Sequence, residues 1–426
     1  MMEQTFQFAY GDTVIPMTVR AREIEVLEPE EHQPIPDLAE GFRQAVEEKA
    51  IDSAPLKELI SAEDLVTVVI SDLTRAWMHQ EMICPLLVDY LGANCGVKPE
   101  QITFLVALGT HRPMTEEELC RLTGKRVYEA CTVVNHDCNG PLTYVGTTPG
   151  GTEVEVNPLV VGRKVILMGG TVHHLMAGYG GGRKSILPGV SGVKTIGQNH
   201  VRALDPNAPH SSPLVGCGRL DHNPVNDDML DAAALVAPVF GINLVVDGVG
   251  RHLALPSGNW RTAWEESCRL VDRYNGVPIQ KRADAIVAST GGFPKDINLY
   301  QGCKTMINAF NGVKPGGKIF FICECREGGG PAAFFGWSKP LSEGFLKLDS
   351  ELRAHFTIAG YIFYACVEIA MKTDVHMLSL LPADVLRDMK ITGHTAEEMQ
   401  QMMDFGDQHV IVMPHGGATF PMPVGE

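Results

Sequence analysis

Three short runs of β-branched and apolar residues constrain the fold most, because each is suited to a fully buried strand and is followed by a polar loop. The runs are LVTVVI (65–70), ITFLVAL (102–108) and VILM (165–168). Continuous apolar strands separated by helical segments are typical of a parallel sheet that is covered on both faces. The sequence therefore predicts an α/β fold with mostly parallel sheets.

The second half of the chain repeats this pattern on a smaller scale, with apolar runs at 284–290, 318–323 and 409–413. At 426 residues the chain is too long for one compact core, and NGVP after residue 274 interrupts a predicted amphipathic helix. We expect an N-terminal α/β domain over 1–274 and a smaller C-terminal α/β domain over 275–405. The sequence leaves open whether the last strand and tail, 406–426, return to the first domain.

Local signals place several elements within these domains. Gly11-Asp12 lies between two alternating runs and predicts a β-hairpin over 6–19. A helix is expected over 37–49. Thr115 with Glu118, and Thr395 with Glu398, have the spacing of a capping box at the start of a helix.

Composition excludes several classes of protein. The formal net charge of −16 argues against a nucleic-acid surface, and 45% hydrophobic with 20% charged residues is an ordinary globular balance. Eleven scattered cysteines are typical of reduced thiols. No run approaches the ~20 apolar residues of a spanning helix, and the N-terminus has no signal-peptide pattern. We therefore expect a soluble, cytoplasmic protein without a membrane partner.

Polar side chains follow each of the three opening strands. Asp72 and Arg75 follow the first, His111 follows the second, and the third leads into a Gly-rich stretch with His174 and Lys184. In open parallel sheets, ligands bind outside the carboxyl ends of the strands. We therefore expect these residues to contribute to one site.

The Gly-rich stretch, residues 168–200, admits more than one interpretation. Lys184-Ser185 matches the end of a phosphate-binding P-loop, but the spacing of the glycines does not. A flexible loop with surface histidines is the simplest alternative. Its imidazoles and amine could also bind a metal, move protons or form a covalent bond. His173 and Lys194 are equally conspicuous, yet no chemical step is assigned to them.

In the second domain, Tyr300, Gln301 and Lys304 follow the first strand within one turn-sized interval. Residues three and four apart share a face of a helix. One helix face would thus present a phenol, an amide and an ammonium group.

Taken together, these residues resemble the lactate racemase family, the nickel-pincer enzymes that interconvert the enantiomers of 2-hydroxy acids. The resemblance is carried by DLTR at 72–75, GTHR at 109–112, the pattern H-H-x-x-A-G-x-x-G-G-x-K-S-I-L-P-G from His173, Asn199-His200, and LYQ at 299–301 with Lys304. It implies two α/β domains with the active site in the cleft between them, and a first domain that holds the cofactor and the catalytic groups.

The resemblance also implies a role for individual residues. Lys184 would tether the cofactor, a pyridinium-3-thioamide-5-thiocarboxylic acid mononucleotide that holds nickel, and His200 would complete the nickel coordination. His111 and His174 would be the acid/base pair. The substrate would be held by Arg75, Tyr300, Gln301 and Lys304. Further cofactor contacts would come from Asp72, Thr74, Gly180, Gly181, Gly182, Ser185 and Pro188.

The implied chemistry is consistent with these residue types. The hydrogen on C2 of a 2-hydroxy acid is weakly acidic, so its removal as hydride, with the hydroxyl proton passing to a base, is easier than proton abstraction. Imidazole suits that base because its pKa of ~6.5 lies near working pH. Nickel accepts nitrogen and sulfur ligands in a square-planar arrangement.

The sequence does not decide the substrate, and it leaves two alternative functions. Tyr179-Gly180, Arg183 and Gly302-Cys303 depart from the lactate enzymes, so lactate is the leading member of a list that includes larger, dicarboxylic and sugar-derived hydroxy acids. The cofactor-synthesis enzymes are expected as transient partners, and the oligomeric state is not predicted. The alternatives are a protein that binds a nucleotide or phosphometabolite without covalent chemistry, and a zinc hydrolase that uses His111, His173 and His174.

Overall fold

The computed structural model describes residues 1–28 and 30–424, which form two compact units. The larger unit comprises Glu31–Pro206 and Ser212–Tyr274, and the smaller comprises Met1–Glu30, Asn207–Ser211 and Asn275–Glu426. None of the helices in the described part of the chain combines the length and the apolar character needed to span a bilayer.

The strands follow one another along the chain as β1 (Met2–Tyr10), β2 (Thr13–Ala21), β3 (Glu23–Val26), β4 (Val66–Ser71), β5 (Ile102–Ala107), β6 (Thr132–Asn135), β7 (Thr143–Thr147), β8 (Glu153–Val156), β9 (Lys164–Gly170), β10 (His173–His174), β11 (Gly178–Tyr179), β12 (Phe240–Val246), β13 (His252–Ala254), β14 (Ser257–Gly258), β15 (Gly276–Ile279), β16 (Ala283–Ser289), β17 (Val313–Ile322), β18 (Asp374–Leu378), β19 (Ile391–His394), β20 (His409–Met413) and β21 (Phe420–Pro423).

The α-helices are α1 (Leu38–Glu47), α2 (Leu56–Leu59), α3 (Cys84–Cys95), α4 (Glu116–Thr123), α5 (Lys125–Ala130), α6 (Val193–His200), α7 (Pro224–Val236), α8 (Thr262–Asn275), α9 (Leu299–Gly312), α10 (Ala332–Phe335), α11 (Ser338–Ser342), α12 (Phe345–Ala354), α13 (Ile358–Lys372), α14 (Ala383–Asp388) and α15 (Ala396–Gln401). Short 3-10 helices lie at Leu73–Met78, Gln80–Met82, Pro99–Gln101, Pro158–Val160, Gly182–Ser185 and Val201–Ala203.

The sheet of the larger unit has the order β13-β12-β9-β4-β5-β6, with β14 also paired to β12. The pairs from β12 to β6 are parallel, and β13 and β14 are antiparallel to β12. Val66, Val68 and Ile70 of β4 are completely buried and share one core with Leu87 and Leu91 of α3. Each such side chain contributes about 1.5–3 kcal/mol by leaving water. These strands confirm the predicted mostly parallel α/β class.

The order of this sheet reverses between β9 and β4. From β4 the chain moves to β5 and β6, and β9 then returns on the other side of β4. The reversal leaves a crevice at the carboxyl ends of β4 and β9, where ligands bind in open parallel sheets. The first and third opening strands therefore end at this crevice.

The smaller unit contains a parallel sheet of order β19-β18-β17-β16-β20-β3. Its order reverses between β16 and β20, so the loops after these two strands lie side by side. The predicted hairpin is present as β1 and β2, with Tyr10 opposite Thr13.

The units divide the chain differently from the expected domains. Residues 1–30 and 207–211 belong to the smaller unit, although we expected 1–274 to form one domain, and the C-terminal strand and tail do not return to the larger unit. The physical reason is strand pairing: β20 lies between β16 and β3, and β3 pairs with it in parallel. Local sequence patterns indicate a strand but not its distant partner.

Candidate functional site

The loops after β4 and β5 bring a carboxylate and an imidazole together. Asp72 is buried, and its Oδ2 lies 2.5 Å from Nδ1 of His111, whose side chain is 54% exposed. The other oxygen, Oδ1, accepts hydrogen bonds from the backbone N–H and the hydroxyl of Thr74. Burial alone would raise the pKa of Asp72, but the bonds from His111 and Thr74 outweigh it and lower that pKa. The ionised carboxylate holds the proton of His111 on Nδ1, so Nε2 is left to accept one.

His111 is positioned from both sides, as its sequence context predicted. The preceding loop is fixed where the backbone N–H of Gly109 donates to the carbonyl of Gly189, 2.9 Å away. After it, Thr115 and Glu118 form the expected capping box at the start of α4. The Arg112 guanidinium binds both carboxylate oxygens of Glu118, at 2.6 and 2.7 Å. The exposed imidazole therefore extends from an anchored backbone.

The Gly-rich stretch forms a short hairpin, β10 with β11, followed by a 3-10 turn that carries Lys184. Gly181 and Gly182 have φ values of +71° and +51°, a region that favours glycine. Lys184 is partly buried, and among the described residues its amine has no hydrogen bond or ion pair. Burial, followed by the charges of Arg183 and Arg75, lowers the pKa of Lys184 to about 7. A large fraction of this amine is therefore uncharged and nucleophilic at neutral pH.

His174 lies in the same electrostatic environment. Its Nδ1 accepts the backbone N–H groups of Met176 and Ala177 at 3.3 and 3.2 Å, so the neutral ring carries its proton on Nε2. Burial, followed by the nearby cations of Lys184 and Arg75, keeps the pKa of His174 well below its ordinary value. His174 therefore presents an Nε2–H donor, whereas His111 presents an acceptor.

His200, the last residue of α6, is buried and neutral. Its Nδ1–H donates to the carbonyl of Ile196, 3.0 Å away, while its Nε2 is buried without a hydrogen-bond partner in the described chain. Burial, and then the charge of Lys184, lowers the pKa of His200 to about 3. A fixed, neutral imidazole with a free nitrogen is the state in which histidine ligates a metal.

The other expected cofactor contacts lie in the loop after β4 and in the Gly-rich stretch. Thr74 is bonded to Asp72 and is otherwise exposed, while Ser185 is buried beside Lys184. Pro188 follows a cis peptide bond in the turn after Lys184. Gly180 lies directly before the two glycines of positive φ, so the expected contacts Gly180, Gly181 and Gly182 form one loop.

His173 and Lys194 have structural partners. His173 Nε2 lies 2.9 Å from Oδ1 of Asp272, and Asp272 also accepts the Tyr179 hydroxyl at 2.6 and 2.7 Å. These bonds attach the hairpin to α8. Lys194 forms a surface ion pair with Glu153.

The expected substrate residues of the smaller unit lie in the first two turns of α9. Asn298 caps this helix by accepting the backbone N–H of Gln301. Gln301 and Lys304 are exposed, whereas the Tyr300 ring packs against Phe334 at 5.2 Å between centroids. The predicted placement of these three residues near the start of one helix is therefore present, and their binding of substrate stays a prediction.

Sequence reasoning missed two features of the site. The bonds from His111 and Thr74 to the Asp72 carboxylate were not predicted, and the cofactor contact expected of Asp72 stays a prediction. Arg183 was treated as a departure from a motif, yet it is completely buried beneath the Gly-rich loop. A charged residue among glycines was the only signal for Arg183, and the direction of a side chain is not encoded in local spacing.

Comparison with known proteins identifies the family. The lactate racemase N-terminal domain matches residues 10–211, and the lactate racemase C-terminal domain matches residues 279–419. The lactate racemase of Thermoanaerobacterium thermosaccharolyticum is 32% identical over 295 residues, which cover 68% of this chain and 67% of the relative. That of Lactiplantibacillus plantarum is 31% identical over 300 residues, 68% of each chain.

Solved structures have the same fold. The lactate racemase apoprotein from T. thermosaccharolyticum superposes with a TM-score of 0.83 at 25% identity, covering 98% of this chain and 100% of that one. A crystal structure of a Thermotoga maritima protein matches with a TM-score of 0.61 at 18% identity, over 91% of this chain and 97% of that one. The chain therefore belongs to the lactate racemase family and is an isomerase, a racemase by class.

Proposed function

We propose that this protein racemises or epimerises a 2-hydroxy acid, with a nickel-pincer nucleotide bound covalently to Lys184. The observation that carries the proposal is the pair formed by Lys184 and His200. One is an amine with a pKa of about 7, and the other is a buried imidazole; in residues 1–28 and 30–424, neither the amine nor the imidazole Nε2 has a hydrogen-bond partner. Lactate is the leading substrate, since the curated relatives carry the name lactate racemase.

The residues present fit such a cofactor. Lys184 would hold it by an amide-type bond, and His200 would supply one nitrogen ligand to its nickel. Within residues 1–28 and 30–424, no three His, Cys, Asp or Glu side chains are grouped to hold a metal ion. A nickel that takes its other ligands from the organic group needs only one from the protein, whereas the zinc hydrolase alternative needs about three.

When bound, the cofactor supplies the two-electron acceptor that hydride transfer from C2 requires. The protein's own groups handle the proton. His111, with Nδ1–H held by Asp72, accepts the hydroxyl proton at Nε2 and gives it back from the same nitrogen when the hydride returns to C2. His174 is a neutral ring whose Nε2–H donates a hydrogen bond to the substrate oxygen and is not transferred, since its loss would leave an imidazolate.

Arg75 is proposed to bind the substrate carboxylate. Its guanidinium lies close enough to His174 and Lys184 to lower the pKa of both, and a guanidinium matches a carboxylate in two-pronged geometry. Tyr300, Gln301 and Lys304 of α9 are proposed as further substrate-binding residues.

Intact-protein mass spectrometry tests the covalent attachment. Protein co-expressed with the cofactor-synthesis enzymes should carry an adduct that is absent from Lys184→Ala and present in the matched surface variant Lys194→Ala. An unmodified parent protein would overturn the proposal. Tight mononucleotide binding that survives Lys184→Ala would favour the non-covalent alternative instead.

A further inference from the structure

We propose that Arg183 is a positioning residue for Lys184, which fixes the Gly-rich loop from beneath so that the lysine leaves the backbone in the direction of its cofactor. This inference rests on the proposed attachment at Lys184. It concerns a residue that contacts neither substrate nor cofactor in the function proposed above.

The Arg183 guanidinium is the point on which the loop carbonyls converge. Its Nη2 donates to the carbonyl of Ala177 at 2.6 Å, and its Nη1 donates to that of Tyr179 at 2.9 Å. Longer contacts of Nη1 reach the carbonyls of Gly180 and Gly181, at 3.4 and 3.3 Å. The five donors of guanidinium lie in one plane with fixed directions, so lysine could not reproduce this set of bonds.

The Gly181 carbonyl connects this network to the lysine. It accepts from Arg183 and also from the backbone N–H of Lys184, 3.1 Å away. A change in the Arg183 bonds would therefore displace the residue that starts the turn carrying Lys184.

Trp264 of α8 supports the guanidinium from the other side. The centre of the Arg183 guanidinium lies 3.8 Å from the centroid of the indole ring, and the indole N–H donates to the carbonyl of Gly180 at 2.8 Å. Arg183 Nε donates to the Asn226 amide oxygen at 3.0 Å. In the described chain its hydrogen-bond partners are uncharged, so the buried cation depends on these dipoles and on the ring. A loop with only a structural role would not need a buried cation that is held by so many directed contacts.

Arg163 provides a matched control for the experiment. This arginine, in the same unit, donates to the Thr67 and Thr103 hydroxyls and to the Val66 carbonyl, at the amino ends of β4 and β5. Arg183→Lys and Arg163→Lys remove the same chemical group, but only the first touches the Gly-rich loop. Trp264→Phe is a milder second variant, because it keeps a ring and removes the N–H bond to Gly180.

Three quantities should be measured for each variant: the urea midpoint, hydrogen exchange of the amides of residues 177–185 in the apoprotein, and adduct occupancy after co-expression. For Arg183→Lys we expect loop exchange to accelerate about tenfold or more, as for the loss of hydrogen bonds to a charged group, and occupancy to fall by at least about tenfold. Trp264→Phe should show smaller changes in the same direction. Arg163→Lys should lower the urea midpoint while loop exchange and occupancy stay at the parent values.

Unchanged hydrogen exchange of the loop amides in Arg183→Lys would overturn the inference. It would also be overturned if Arg183→Lys and Arg163→Lys lowered the urea midpoint equally and lost adduct occupancy equally. An adduct lost in Lys184→Ala but kept in Arg183→Lys would reject the role of Arg183 and leave the proposed function intact. If the parent protein carries no adduct, the proposed function fails, and loop exchange alone still decides whether Arg183 fixes the loop.

Discussion

At the scale of single residues, His111 and His174 differ in which ring nitrogen carries the proton. Asp72 spends both carboxylate oxygens on protein partners, and one of these bonds fixes the tautomer of His111. His174 is fixed in the opposite tautomer by backbone N–H groups. The sequence predicted both histidines and the aspartate, but not their pairing, because hydrogen-bond direction depends on side-chain conformation rather than on spacing.

Asp72→Asn should separate proton transfer from cofactor attachment. An amide at this position cannot hold Nδ1–H of His111 as an anion does, so we expect kcat to fall by about 10²–10⁴-fold. Adduct occupancy at Lys184 should stay near the parent value. A loss of occupancy that parallels the loss of kcat would instead support the cofactor contact expected from the sequence.

The lowered pKa of Lys184 predicts an unusual pH profile for its acylation. Its amine is half deprotonated near pH 7, so its reaction rate with an acetylating reagent in the apoprotein should level off above about pH 8. Lys194, whose ion pair with Glu153 raises its pKa, should react faster with each step up to pH 9. Peptide mass spectrometry reads both rates in one sample. Parallel profiles for the two lysines would contradict the assignment.

His200→Ala should remove nickel without removing the adduct. The variant deletes the free Nε2 but leaves the Lys184 amine in place, so intact mass should show the organic group and elemental analysis should show little nickel. His252→Ala removes another buried imidazole of the larger unit and serves as the control. Full nickel content in His200→Ala would contradict its role as a ligand.

At the scale of elements, the strands were predictable where one local pattern decided the outcome. β4, β5 and β9 are buried on both faces, so their apolar runs are continuous. Both capping boxes are present because they depend on residues only three apart. The two-residue strands β10 and β11 were not predicted, since their pairing is set by bonds to Asp272 on a distant helix.

Gly182 tests how tightly the Gly-rich loop packs on α8. A Cβ at this position would lie 2.4 Å from Cγ of Trp264, in addition to the strain of φ at +51°. Gly162 has a φ of +68° with open space around a Cβ. Gly162→Ala therefore measures the stability cost of backbone strain without a steric clash. We expect Gly182→Ala to cost about 1–3 kcal/mol more than Gly162→Ala in urea unfolding. Equal losses would show that the loop yields to the added methyl group.

At the scale of the whole molecule, the chain is acidic while its proposed site contains a cation. Against a net charge of −16, the Arg75 guanidinium lies close enough to His174 and Lys184 to lower the pKa of both. A few local cations are enough to bind a small carboxylate. The sequence predicted this contrast and two α/β units, but not that the first strands join the smaller unit, because strand partners are chosen over long range.

The most direct test of the proposed racemisation follows the hydrogen on C2 of the substrate. Single enantiomers of 2-hydroxy acids carrying deuterium at C2, lactate first, should be incubated in ordinary water with the loaded protein. We predict that the opposite enantiomer forms and retains deuterium at C2, while Lys184→Ala forms none. Formation of the opposite enantiomer with hydrogen from solvent at C2 would contradict hydride return, and the absence of racemisation across the panel would contradict the proposed activity.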